Sequence, residues 1–436
     1  MKRYKPFVCV LVFGILLSAG FAETATETVL DLDTAVALAL EQNLSLGRSK
    51  RELEQKKLSS VRSWNSLIPS IGASASVSRA TDITGNIIPS QDEWKPALSL
   101  SASFTLPTSI FADIESARLE YEAGQISYDT AARTLELQVR KAFYQLLVLN
   151  ENIALTQQSI ETAQGRYDEA AAKRRVGQAS NLEELSAKVD LENLKPTLRS
   201  AQGAYDTTLD SFRQILGISL DEDVRISGNL ASAVGIVESE NMESLTERSL
   251  GEASAVLSAR KDLEIAESRL KGAKSSLVIP SLSVSWNTSP LYANSAWSDT
   301  GGFTAKLSFS LDKLLPWSSA QTQIESLSLS LASSQSALLE KQITSELNIR
   351  QYQRTIEESL ESIDALRLNA ELAEQNYGMY EQSYRQGTAD YQSLRTAGDS
   401  LQTARNKVLQ EFYTLLTTVL DLEAELNIPF GTLMDI

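Results

Sequence analysis

Two hydrophobic periods divide this chain. In four segments apolar and small polar residues alternate one by one. Ile71, Ala73, Ala75 and Val77 are interleaved with Gly72, Ser74, Ser76 and Ser78. Leu98, Leu100, Ala102, Phe104 and Leu106 are interleaved with Ser99, Ser101, Ser103 and Thr105. Leu282, Val284 and Trp286 sit between serines, and Phe303, Ala305, Leu307, Phe309 and Leu311 alternate with Thr304, Lys306, Ser308 and Ser310. A period of two belongs to a strand with two unlike faces. The four strands are predicted to pair as two hairpins, about 71–106 and 281–311, with long loops at 80–96 and 288–301.

The other period is seven. Ile114, Tyr121, Tyr128, Leu135, Ala142 and Leu149 recur at that step, with Ala117, Gly124 and Ala131 as a companion seam. Ile324, Leu331 and Leu338 keep the step later, as do Ile356, Ile363, Ala370 and Tyr377. Such heptads predict long coiled-coil helices. About 65 residues at 1.5 Å each span roughly 100 Å. A shorter helix over 32–66 precedes the first hairpin and one over about 243–276 precedes the second. Asp31 or Asp33 is placed to cap the first of these. Pro69 and Pro280 end them, because a residue before proline avoids the helical region. A return helix after Gly177, to about 217, stacked end to end with the 32–66 helix, would match the long helix in length.

These elements come twice. Leu67-Ile68-Pro69-Ser70 returns as Val278-Ile279-Pro280-Ser281, and Leu106-Pro107 as Leu315-Pro316. Tyr167 and Tyr377, Arg175 and Arg385, and Gly177 and Gly387 share one offset of about 210 residues. That period is too long for a solenoid of small repeats. The chain reads as two structural repeats, 23–235 and 236–436, each a helix, a hairpin, a long helix and a return helix.

Composition narrows the setting. Lys2, Arg3 and Lys5, the apolar run Phe7 to Leu17, and Gly20 and Ala22 have the form of a signal peptide over 1–22. Its removal takes away the only cysteine, Cys9, and three cations, leaving 37 basic against 56 acidic residues. There is no histidine. A His-based triad and an intrachain disulfide are excluded, and an acidic chain is a poor partner for nucleic acid. No P-loop signature is present, so any transport must draw its energy elsewhere. If the exported chain crosses a membrane, its strands must do it. Four strands cannot close a barrel, since membrane barrels start at about eight. Two chains would supply eight strands and three would supply twelve. The serine faces favour a wet lumen.

At this point the chain resembles the TolC family of outer-membrane efflux and secretion channels. Leu32-Asp33-Thr34-Ala35-Val36-Ala37-Leu38-Ala39-Leu40-Glu41-Gln42-Asn43 is similar to that family's opening helix. Arg175-Val176-Gly177-Gln178 and Tyr384-Arg385-Gln386-Gly387-Thr388 stand where the family turns at its periplasmic tips. The element order, given twice, covers nearly the whole mature chain. The resemblance implies an α+β membrane protein: a long α-helical coiled-coil barrel plus a 12-stranded β-barrel shared by a homotrimer, four strands per chain. It implies residence in the outer membrane of a diderm bacterium, among its lipids, with the helices reaching into the periplasm. It implies docking of a periplasmic adaptor, or membrane fusion protein, at Val176, Gly177, Gly387 and Thr388. The adaptor would lead to an inner-membrane pump of RND, ABC or MFS type.

The resemblance also implies a gate. The family latch uses an Asp in the first tip with a Tyr and an Arg in the second. Glu183 and Tyr384 match two of these positions, and Ala389 stands at the third, with Arg385 as the candidate replacement. Ser393 and Thr396 stand where well-known members carry an acidic ring, with Asp390 and Asp399 nearby. The expected function is a passive exit duct for tripartite efflux or type I secretion, with no cofactor and no catalytic or metal site. The competing reading is a periplasmic coiled-coil scaffold without a pore, which leaves the paired hairpins unexplained.

Overall fold

A computed structural model describes residues 28–79, 94–228, 251–293, 296–298 and 301–433. The signal segment 1–22, the repeat boundary at 235/236, the start of the second short helix at 243 and most of the loop 80–96 lie outside them. A short strand β1 (Thr28–Leu30) leads into α1 (Leu32–Gln42) and α2 (Leu44–Val61), and a 3-10 turn follows over Ser63–Leu67. Then come β2 (Ser70–Ser78), β3 (Lys95–Leu106), α3 (Ile110–Arg175), α4 (Asn181–Leu216) and β4 (Val224–Ile226). The second repeat holds α5 (Ser254–Val278), β5 (Ser281–Thr288), two three-residue strands β6 (Leu291–Ala293) and β7 (Ala296–Ser298), and β8 (Gly301–Ser308). It ends with α6 (Ser319–Arg385) and α7 (Tyr391–Glu425).

The expected single helix over 32–66 is broken. Asn43 turns out of the helical region at ψ 122°, and its side chain accepts from the backbone of Ser45 and Leu46, starting a new helix. The same amide donates to the Ile215 carbonyl at 2.8 Å. So the end of α4 meets the break, and α2, rather than all of 32–66, continues its line. The residue after α4, Gly217, has φ 81°, and a Cβ there would lie 2.5 Å from the Gln42 carbonyl oxygen. The break frees α1 to pack flat on α3 through Ala35, Val36 and Ala39, all buried. Asp31, not Asp33, is its cap, in a reciprocal box with Thr34.

The two predicted hairpins are one sheet. β2 pairs with β3, β3 with β5 and β5 with β8, all antiparallel. Register keeps the faces apart across all four strands. Ser74 faces Ser99, Ser103 faces Ser285, and Ser285 faces Thr304. Ala73 faces Leu100, Phe104 faces Val284, and Trp286 faces Phe303. The serine face is stitched by hydroxyl pairs, Ser70 to Ser103 at 2.7 Å and Ser74 to Ser99 at 2.6 Å. The apolar face is uncovered, with Ile71 85% and Phe303 70% exposed. The predicted strand over Phe309 and Leu311 stops at Ser308, and Leu311–Leu314 is a 3-10 turn instead.

The packed core lies midway along the helices. Phe143 and Leu146 of α3, Phe212 and Leu216 of α4, Ile349 and Ile356 of α6, and Leu415, Leu416 and Leu422 of α7 form it. Among the described residues no helix is long and apolar enough to cross a membrane. Large apolar side chains at Leu329, Leu339, Ile343 and Leu347 of α6 stand exposed in the single chain. The α3 seam at Ile114, Tyr121 and Tyr128 is only half-buried, while Leu135 is buried.

Gly217→Ala forces a side chain into a left-handed residue against a carbonyl. It is expected to cost about 1–3 kcal/mol of stability. Gly165→Ala, mid-helix with nothing within 4 Å, is expected to be neutral or stabilising. Thermal unfolding of the purified protein in mild detergent checks the contrast.

Candidate docking tips and gate

Both helical hairpins turn by the same construction. Past α3, Gly177 has φ 78° and donates to the Arg174 carbonyl, while Gln178 donates to Lys173. Past α6, Gly387 has φ 76° and donates to Tyr384, while Thr388 donates to Ser383. These paired bonds use up the last free carbonyls of each helix and require a left-handed residue, which glycine adopts without steric cost. The next helix then starts on a capping side chain. Ser180 accepts from Glu183 N–H, and Asp390 accepts from Ser393 N–H at 2.6 Å. The turns themselves are bare: Val176, Gly177, Gly387 and Thr388 are all exposed, and a Cβ on either glycine would meet nothing within 4 Å. Val176 and Leu182 leave the first tip with an apolar surface, 69% and 73% exposed.

Just inside the tips the two hairpins are tied together. Tyr384 donates its phenol to Glu183 Oε1 at 2.7 Å. Across the tip turn, Tyr391 at the start of α7 donates at 2.8 Å to Asp190 Oδ2, seven residues along α4 from Glu183. Arg395 closes on the other oxygen of Asp190 at 3.3 Å. The two rings meet edge to face at 6.1 Å and are buried with Ala170, Ala187 and Leu394. Lys173 lies 4.0 Å above the Tyr384 ring and donates to the Tyr384 carbonyl at 2.9 Å. The cation beside this ring thus comes from α3 of the first hairpin, where it also pairs with Glu169.

Arg385 does not enter this cluster, because it pairs with Glu381 one turn back on its own helix. Ser393 is half-buried in the cap of α7, and Thr396 is exposed, with its hydroxyl bonded to the Gln392 carbonyl. Asp399 is exposed and pairs loosely with Arg395. Among the described residues no group of His, Cys, Asp and Glu could hold a metal ion. The sequence reading missed Asp190, Tyr391 and Arg395. A partial signal was there, since Asp190 follows Glu183 and Tyr391 follows Tyr384 by seven residues in sequence, the tyrosines on opposite sides of the tip turn.

Above the cluster polar contacts join α3 to α6 and α7 for several turns, among the buried alanines Ala163, Ala397 and Ala404. Arg166 covers the Tyr377 ring at 5.0 Å, Ser159 bonds Gln402, and Arg405 reaches Gln158 at 3.2 Å. Further from the tips the apolar core takes over from Val148 and Phe412 onward, with the Lys141–Asp421 pair, at 2.6 Å, among it.

Both latch phenols hold their protons well above the ordinary range. Burial disfavours the phenolate, and next the accepting carboxylate opposes a second negative charge. Below about pH 10 folded and unfolded chains both keep these protons, so the contribution to stability is full. Above about pH 10 the unfolded chain releases them first and stability falls as pH rises. The Tyr384→Phe/Tyr391→Phe pair is expected to flatten that alkaline fall in thermal stability. An unchanged slope would remove the rungs from the account.

Residues 35–218 match the family model described as outer membrane efflux protein. No curated protein matches the chain. Among solved structures, a CusC structure is similar with TM-score 0.77 and 15% identity, over 91% of this chain and 92% of that one. The CmeC outer membrane channel of Campylobacter jejuni is similar with TM-score 0.75 and 15% identity, over 98% and 94%. The open-state MtrE outer membrane channel of Neisseria gonorrhoeae is similar with TM-score 0.75 and 18% identity, over 91% and 89%. The first half of the chain therefore matches the outer membrane efflux proteins, and nine-tenths of it has the fold of the TolC-family outer-membrane channels.

Proposed function

We propose that the protein is the exit duct of a tripartite efflux or type I secretion system. It sits in the outer membrane, reaches into the periplasm and conducts passively. The two-faced sheet carries this reading. An apolar face suits lipid, a serine face suits water, and both belong to strands of the length a bilayer needs. Exposed Trp64, Phe111 and Trp317 stand where the helices join the sheet, the level at which barrels place aromatic side chains against lipid headgroups. Three chains supply twelve strands, and the half-buried heptad seams are the surfaces on which neighbouring copies pack. A helix of 66 residues, about 100 Å long, then carries the passage across the periplasm.

The bare tips are the adaptor's landing places, at Val176, Gly177, Gly387 and Thr388. An inner-membrane pump supplies the energy. At rest the duct is held shut where the Glu183–Tyr384 and Asp190–Tyr391 rungs tie the two hairpins. Each rung is a hydrogen bond to a charged group, of about 1.5–3 kcal/mol. Loss of one leaves the other, seven residues away, in place.

Planar-bilayer recording tests the duct and its latch together. The purified protein is expected to pass small currents, either single Tyr→Phe variant modestly larger ones, and Tyr384→Phe/Tyr391→Phe currents several-fold larger than the sum of the single effects. No current from any form would overturn the duct. Strictly additive effects would overturn the two-rung latch.

A further inference from the structure

The serine face of the sheet carries one charge in its interior. Read along the register, that face holds Ser70, Ser74, Ser99, Ser101, Ser103, Ser283, Ser285, Asn287 and Thr304, and among them Lys306. Lys306 pairs with Ser283, two positions before the end of β8, on the side of the sheet that joins the helices. It is exposed, and among the described residues no carboxylate forms an ion pair with it. None of the four strands contains an Asp or Glu. The other basic residue in them is Lys95, the first residue of β3, in register with Ser78 at the far end. The acids of the hairpin loops, Asp82, Asp92, Glu93 and Asp299, lie outside the described residues.

This is the reverse of the chain's overall charge. The whole sequence has a net of −16, with all of that excess outside these strands. A lysine on the apolar face would have to enter lipid, at a cost of about 2–4 kcal/mol at the midplane. On the serine face it enters water and keeps its charge. In a narrow passage with low-dielectric walls an unpaired charge sets a potential of several kT. Rings of lysine or arginine are a known means of favouring anions in pores.

We infer that Lys306, repeated once per copy around a shared barrel, forms a cationic ring where the barrel meets the helical tunnel and makes the exit selective for anionic over cationic solutes. The inference rests on the duct reading given above. It also names a class of cargo. Solutes carrying carboxylate, phosphate or sulfonate groups pass the barrel readily, and polycations are held back.

The reversal potential in a potassium chloride gradient tests it. It is read on the purified protein in planar bilayers, in both the native and the Tyr384→Phe/Tyr391→Phe background, so that a closed tip does not mask the barrel. Lys306→Gln is expected to raise the potassium-to-chloride permeability ratio about two-fold or more, and Lys306→Glu to raise it further. Lys306→Arg is expected to leave it unchanged. Should Lys306→Glu fail to assemble, Lys306→Gln and Lys306→Arg still decide. Currents with one reversal potential across all variants would overturn the inference and leave the duct standing. Absence of current from every form, native included, would overturn the duct itself and the inference with it.

Discussion

The hydrogen bonds that β2 and β8 leave unmade govern the rest of the molecule. Within one chain the sheet runs β2, β3, β5, β8, and among the described residues no strand pairs with the outer edge of β2 or of β8. In water such edges are tolerable. In hydrocarbon each unpaired group costs several kcal/mol, and only closed barrels avoid the penalty. In the proposed reading the apolar outer face lies in lipid, and the edges then have to pair with those of other copies. Assembly would on that reading be a condition of folding in the membrane rather than a later event. Closure of the barrel also arranges the helices below it, since each β-hairpin is flanked by a shorter and a longer helix. The exposed leucines of α6 and the half-buried heptads of α3 are what such a ring of helices would cover.

Stability is graded along the helices, and the gradient is chemical. Midway, α3, α4, α6 and α7 meet through Phe, Leu, Ile and Val side chains shielded from water. Towards the tips the contacts of α3 with α6 and α7 turn to Arg, Gln and Ser. Polar seams lose less on separating, because water replaces the bonds they give up. A bundle clamped at its waist and polar at its end is expected to open at that end first. In the proposed latch the tyrosine rungs restrain the part of the molecule that the core does not.

Much of this was legible in the sequence because the signals are local. Alternating serines and apolar residues mark β2 and β5 within about a residue or two, and β3 and β8 within about three. The tip glycines announce themselves through a helix-ending motif that needs only neighbouring backbone. The break at Asn43 was not legible, since an asparagine inside an apolar period reads as a tolerated polar position. It becomes a cap because Ile215, distant in sequence, offers a carbonyl. The small strands β6 and β7 lack any alternation long enough to detect. The second rung joins residues 201 positions apart, beyond any local rule. The sequence still carried a hint: a carboxylate and a tyrosine each stood seven residues past the pair singled out by resemblance, the tyrosine across the tip turn. Arg385 stands apart from the cluster for a local reason, because Glu381 lies one turn away and pairs with it.

The central claim is that four strands per chain become a barrel only by sharing. Membrane fractionation of the full-length protein, followed by mass determination in mild detergent, addresses it directly. The account predicts a detergent-dependent trimer recovered with the outer membrane. A monomer or dimer soluble without detergent would contradict it, and the two-faced sheet would then need another cover for its apolar side.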